Sequence, residues 1–342
     1  MFRKKIATLF FIIAITLLFF VCLTLWSFSN DLVNRGILLI PVFILIWINF
    51  RSSRYLARTK HFRYLYLIPL TALFSINVIV ISYDVALSYS DYHLKQRTYS
   101  DINSCSKVWA TRGFVPGDST ITPDGKQNSI GSIQLAFDNA AVGNEVDVFY
   151  DVVMGRYVVS HDRNPYNLKK GELLTLNELF IATGDEGYFW LDFKKLRHLD
   201  KEQLANAIAR LDLISSTGDL KNRIYIEGAA PINLNAYQRA GFKTIFDTHP
   251  MVDSHLLTPL VVNVYKIAYY LGDFTVIGMN YGDKVSPIYG KRVRQILGNT
   301  PSFIYHVPND KALLKELSSV SQIQVLLARD QSLNLFGITH CN

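Results

Sequence analysis

Cysteine is scarce in this sequence. Three cysteines in 342 residues exclude a disulfide-dense scaffold. Charged residues are also few, 18% against 49% apolar and 13% aromatic, and Gly plus Pro is ordinary, which together exclude a disordered or collagen-like chain. No G-x-G-x-x-G, Walker or G-x-S-x-G segment occurs, so the nucleotide-binding and serine-hydrolase readings lack their local signatures. The excess that does exist is positive charge, +7, and it is confined. Residues 1–104 hold 11 Lys/Arg and 4 Asp/Glu, whereas 105–342 hold 24 of each. A nucleic-acid partner is therefore not expected, because the C-terminal two-thirds has no basic field.

The N-terminal third reads as membrane. Ile6–Phe28 is a run of 23 uncharged residues, longer than the roughly 20 a helix needs to cross the hydrocarbon core. It is too long for a signal-peptide core, and no small-residue cleavage site follows. Gly36–Phe50 and Tyr64–Tyr83 complete a three-span anchor over 1–83. Arg3, Lys4 and Lys5 precede the first run, and Arg51, Arg54, Arg58, Lys60 and Arg63 lie between the second and third. By the positive-inside rule these positions are cytoplasmic. An integral membrane protein is expected, with a linker over 84–104 and the domain 105–342 on the outer, periplasmic or extracellular side. Cys105 and Cys341 lie at the two ends of that domain, and an oxidising compartment would permit a bridge between them. The apolar runs carry no acid or base of the kind transport requires.

Residues 105–342 alternate strand-like and helical runs. The strands are read at 107–112, 145–150, 156–161, 189–194, 223–228, 243–248, 274–279, 302–307 and 323–328. Helices are read at Thr175–Ile181, capped by Thr175 with Glu178 closing a capping box, at Lys201–Leu213, at Asn233–Ala240 before Gly241, and at Asn309–Ser318 with Asn309 as cap. Repeated βα units of this length fit an α/β fold, a TIM (β/α)8 barrel, with 156–161 as the hairpin mate of 145–150.

Chemistry in such a barrel sits at the C-terminal strand ends. Those ends carry Thr111-Arg112-Gly113, Glu145-x-Asp147, His161-Asp162, Asp192-x-Lys194, Glu227 and Asp247. Residues two apart on a strand share a face, so Glu145 pairs with Asp147 and Asp192 with Lys194. Clustered inward carboxylates repel unless a cation offsets them. Glu145, Asp147 and Asp192 are three hard oxygen ligands suited to Mg²⁺ or Ca²⁺, and Lys194 would neutralise phosphate charge.

In order, Ala110-Thr111-Arg112-Gly113, Gln127-Asn128-Ser129, Glu145-Val146-Asp147, Ser160-His161-Asp162, Asp192-Phe193-Lys194 and Tyr305-His306 resemble the motifs of the glycerophosphodiester phosphodiesterases. These belong to the phospholipase-C-like barrels. The Glu-x-Asp and Asp-x-Lys pairs are also similar to the sphingomyelinase D branch. The resemblance covers about 107–330. It implies metal-assisted cleavage of a glycerophosphodiester or phospholipid headgroup at the membrane. It further implies a divalent ion on Glu145, Asp147 and Asp192, phosphoryl contacts from Arg112 and Lys194, a substrate contact from Tyr305, and acid–base work by His161.

One position departs from the family. Its first histidine aligns with Thr111, and threonine cannot exchange protons near neutral pH as imidazole does. Three explanations stand side by side: a catalytically inactive barrel that binds a phosphorylated lipid or a protein partner, a one-histidine mechanism through His161, or replacement by His306 or His249.

Overall fold

The computed structural model describes residues 63–97, 102, 106–115, 127–161, 173–184, 186–251, 253–255, 257–282, 289–328 and 332–338. The first two apolar runs lie outside the described residues, as do Cys105 and Cys341. The third lies in helix α1 (Arg63–Gln96), whose side chains are described from Ile79 onward. Among the fully described residues no helix is long and apolar enough to cross a membrane. The chain divides into two compact units, Met1–Tyr89 and Ser90–Asn342.

The second unit is a closed barrel. Its nine strands are β1 (Val108–Thr111), β2 (Gly143–Asp151), β3 (Arg156–Val159), β4 (Tyr188–Phe193), β5 (Ile224–Gly228), β6 (Lys243–Thr248), β7 (Val276–Asn280), β8 (Ser302–Val307) and β9 (Ile323–Ala328). The order β1-β9-β8-β7-β6-β5-β4-β2 closes through a direct β1–β2 pairing, and every pairing in that ring is parallel. Strand β3 is antiparallel to β2 and stands outside the ring. This is the eight-stranded barrel with a hairpin mate that the sequence pattern implies.

The helices after α1 are α2 (Ile130–Asp138), α3 (Leu176–Thr183), α4 (Lys201–Ile214), α5 (Leu220–Arg223), α6 (Pro231–Arg239), α7 (Leu257–Leu271), α8 (Tyr289–Leu297) and α9 (Lys311–Ser318). Local chemistry sets their ends. Thr175 Oγ1 accepts from Glu178 N at 3.2 Å while Glu178 Oε2 accepts from Thr175 N at 2.8 Å, the expected capping box. Two helix starts differ from the sequence reading. Helix α6 starts at Pro231, whose ring suits a first helical turn. The cap of α9 is Asp310, not Asn309, because Asp310 Oδ1 reaches Leu313 N at 2.9 Å. Both residues are good caps, and only the backbone path chooses between neighbours.

Side chains of alternate parity fill the barrel or face the helices. Trp109, Trp190, Tyr225 and Phe303 form an aromatic floor inside the ring, with ring centroids 5.1–6.1 Å apart. Each ring buried fully contributes roughly 1.5–3 kcal/mol. Gly143 is required beneath this floor, since a Cβ there would lie 2.4 Å from Trp109 Cδ2. The floor closes the N-terminal end and leaves the polar inward residues at the other.

Candidate active site

The same inward parity that places Trp109 in the floor places Thr111 above it, and Trp190 is followed by Asp192 and Lys194. Strand register then aligns the acids. Asp147 pairs with Asp192, and Asp192 with Glu227, so three carboxylates form one row across β2, β4 and β5. Glu145 sits one layer deeper, level with Thr111 and Trp190.

Arg112 follows β1 in a left-handed conformation, φ +56°. Simple alternation would point it away from the barrel. The left-handed turn instead brings Arg112 Nε to 2.7 Å from Asp147 Oδ2. Arg112 N also donates to Glu145 Oε2 at 3.1 Å. Gly113 continues the turn at φ +76°, and a Cβ there would collide with Ser132 at 2.4–2.7 Å. Asn128 Nδ2 donates to Asp147 Oδ2 at 2.8 Å, and Asp147 N donates back to Asn128 Oδ1 at 3.1 Å. Lys194 Nζ lies 2.7 Å from Asp147 Oδ1 and also contacts Asp192 Oδ2. Asp147 is thus completely buried and held by two cations and an amide.

These contacts divide the carboxylates. Burial pushes Glu145 well above the usual carboxylate range, and the charge of Asp147 adds to this while Arg112 opposes it. Burial acts on Asp147 in the same direction, but Lys194 and Arg112 outweigh it and hold this group below its ordinary value. Asp192 is pushed up to about 6, by burial first; Lys194 pulls it down and Asp147 pushes it up. Burial would lower Lys194, yet Asp192 and Asp147 keep it firmly protonated. Glu227 is raised well above its ordinary value by burial, Asp192 and Asp247, while accepting from Trp190 Nε1 at 2.7 Å.

Glu145, Asp147 and Asp192 each offer a carboxylate oxygen, and these atoms lie within 4.8 Å of one another. This set fits a divalent cation. The donors are hard oxygens, and two of the three carboxyls are raised as if short of positive charge. The expected trio is brought together as read, with Arg112 and Lys194 on it.

The histidines are distributed less simply. His161 is exposed at the end of β3, next to Ser160, whose N–H donates to Asp147 O at 2.9 Å. His249 Nδ1 is 3.2 Å from Asp247 Oδ2, and that hydrogen bond raises its pKa against the effect of burial. His306 takes φ +57° and places Nδ1 3.3 Å from Asn280 Nδ2 at the rim. Tyr305 faces inward and donates to Asp247 Oδ1 at 3.1 Å; burial and Asp247 keep its phenol protonated. The sequence reading names Glu227 and Asp247 only as strand ends. Their parity with Tyr225 and Ile245 was the available signal for a place inside the mouth.

No protein-family model matches the chain, and no curated protein matches it. Among solved structures it is similar to a glycerophosphodiester phosphodiesterase from Parabacteroides distasonis, at 16% identity over 65% of this chain and 92% of that one, TM-score 0.44. It is also similar to a candidate glycerophosphodiester phosphodiesterase from Galdieria sulphuraria, at 16% identity over 68% and 96%, TM-score 0.48. A third is a glycerophosphodiester phosphodiesterase from Agrobacterium tumefaciens, at 13% identity over 68% and 98%, TM-score 0.43.

Proposed function

We propose that the barrel is a metal-assisted phosphodiesterase of the glycerophosphodiester phosphodiesterase type, anchored in a membrane through its N-terminal third with the barrel on the outer side. Its substrates are glycerophosphodiesters or phospholipid headgroups. One observation carries the reading: three carboxylates converge within 4.8 Å, with a guanidinium and an ammonium on the central one, in the mouth of a parallel barrel. Phosphoryl transfer needs little covalent help and much positioned positive charge, and this arrangement supplies it.

Glu145, Asp147 and Asp192 would hold Mg²⁺ or Ca²⁺, which when bound supplies Lewis-acid polarisation of the phosphoryl oxygens. Arg112 and Lys194 orient the phosphate by its two outer oxygens. An internal hydroxyl of the substrate attacks phosphorus, one new P–O bond forms, the bond to the leaving alkoxide breaks, and water then opens the resulting cyclic phosphate to the monoester. The imidazole of His161 accepts the hydroxyl proton. His249, fixed by Asp247 through Nδ1 and raised in pKa, delivers a proton from Nε2 to the leaving oxygen. Thr111 takes no part in proton transfer.

The test is hydrolysis of glycerophosphocholine by the full chain in detergent, with and without chelator. Metal-dependent turnover lost in both Glu145→Gln and His161→Ala is expected. Inward-facing Thr111, where the family carries histidine, favours the second reading of a binding barrel without turnover. Metal binding with no hydrolysis of any phosphodiester would establish that reading instead.

A further inference from the structure

The open end of the barrel carries a surface that cleavage of a phosphodiester does not use. Strand β2 runs past its last pairing with β4, Val148 against Phe193, through Phe149 and Tyr150 to Asp151, and the chain returns at Arg156. The turn between is closed by its own leading residue. Asp151 Oδ1 accepts from Val153 N at 2.9 Å and from Met154 N at 3.1 Å, and Gly155 takes φ +59°. Such turns ordinarily display polar residues. This one displays Val152, Val153 and Met154, all exposed, Val153 to 92%.

A basic segment adjoins the hairpin. Lys195, just after β4, sits with Nζ 5.8 Å from the centre of the Phe149 ring, and Arg197 and His198 are exposed beyond it. The acid that follows, Asp200, is engaged as the cap of α4 through Gln203 N at 2.9 Å. The basic segment is bound on its far side to α6, since Asn233 Nδ2 donates to Leu196 O at 2.9 Å and Leu199 O at 3.1 Å. At that edge Ile232 is 85% exposed. The rim over β2, β4 and β5 is therefore apolar, then basic, then apolar.

We infer that this rim is a docking surface for an anionic lipid bilayer, with Val152, Val153, Met154 and Ile232 entering the headgroup boundary and Lys195 and Arg197 lying against anionic headgroups. The charge complementarity selects this occupant. A cationic stripe between two apolar points matches a surface that is negative at the headgroups and apolar just beneath. The inference deepens the proposed activity by naming its substrate as one presented on a bilayer, and in that respect rests on it.

Lipid contact is measurable without turnover, which separates the two. The full chain, its native cysteines replaced by serine, carries one environment-sensitive fluorophore on Val153→Cys, Ile232→Cys or Leu213→Cys. Leu213 is also apolar and exposed but lies at the far end of α4. Each is placed in nanodiscs of phosphatidylcholine with or without phosphatidylglycerol and a lipid-borne quencher. Quenching at 153 and 232 several-fold above that at 213, only with phosphatidylglycerol and lost in Lys195→Glu/Arg197→Glu, is the expected result. Equal quenching at all three positions overturns the inference, as does quenching that ignores phosphatidylglycerol or the charge reversals. A blue-shifted, unquenched label at 153, with disulfide cross-linking between chains of the unlabelled Val153→Cys variant, assigns the rim to a second copy instead. Hydrolysis of soluble glycerophosphocholine without quenching keeps the activity and removes the docking; quenching without hydrolysis does the reverse.

Discussion

Asp192→Asn is the sharpest test of the electrostatics at the site. The carboxyl of Asp192 is pushed up to about 6, by burial foremost, so in the metal-free protein its ionised form is disfavoured. An unfolded aspartate titrates near 3.9, and two units of difference correspond to about 3 kcal/mol. Its side chain is 29% exposed, and solvent screening reduces this to about 2 kcal/mol. The sign follows from linkage. A carboxyl raised on folding costs nothing below its unfolded pKa, and the cost accumulates as pH rises from about 4 to about 6. Asparagine mimics the protonated form and escapes that cost. In chelator, the variant should therefore melt roughly 4–8 °C above the parent at pH 7, and level with it at pH 4. Added Mg²⁺ should stabilise the parent and leave the variant unmoved. Thermal unfolding of the full chain in detergent, followed by near-ultraviolet circular dichroism, reads both. A variant that melts lower than the parent at pH 7 refutes the reasoning, because the Lys194 ion pair would then outweigh the burial of Asp192.

Other outcomes follow from single contacts. Metal affinity, measured by calorimetry, should rise between pH 5 and pH 7 because Glu145 and Asp192 must lose protons to ligate; a flat profile would place the ion elsewhere. Thr111→His places imidazole beside Glu145 and should leave turnover of glycerophosphocholine unchanged, because His161 and His249 complete the proton transfers; a gain of about 10²-fold would show that one transfer goes unassisted in the parent. Asn144 is completely buried on the helix-facing side of β2, and among the described residues neither polar atom of its side chain has a hydrogen-bond partner. Asn144→Val should stabilise the fold by about 1–2 kcal/mol, and a lowered melting temperature would contradict it. Gly143→Ala drives a methyl into the Trp109 ring and should cost about 1–3 kcal/mol, read as a lower melting temperature with altered tryptophan fluorescence.

Most of the framework was legible because it depends on short-range patterns. All nine strand runs were readable from alternating and continuous apolar residues, and the barrel strands keep them because both faces are buried. Helices α2, α5, α7 and α8 went unread. In α7 the buried face includes Thr258 and Lys266 while Leu257, Leu260, Val264 and Leu271 are exposed, which inverts the usual signal. Lys266 is tolerated inside because Asp91, from the end of α1, pairs with it at 2.9 Å, a contact 175 residues distant that no local pattern announces.

Residue spacing alone determined that Glu145 shares a face with Asp147 and Asp192 with Lys194, since the strand period is two. It could not determine that Asp147, Asp192 and Glu227 would stand in one row, because register between parallel strands is set by how the intervening helices pack. Nor could it aim Arg112, whose approach to Asp147 needs a left-handed backbone that strand alternation does not contain. The pairing of Tyr305 with Asp247 across β6 and β8 likewise exists only after closure. Composition and period chose the strands and their inward acids; the closed ring, by bringing distant strand ends within hydrogen-bonding reach, decided which of those acids share a cation and which are raised in pKa.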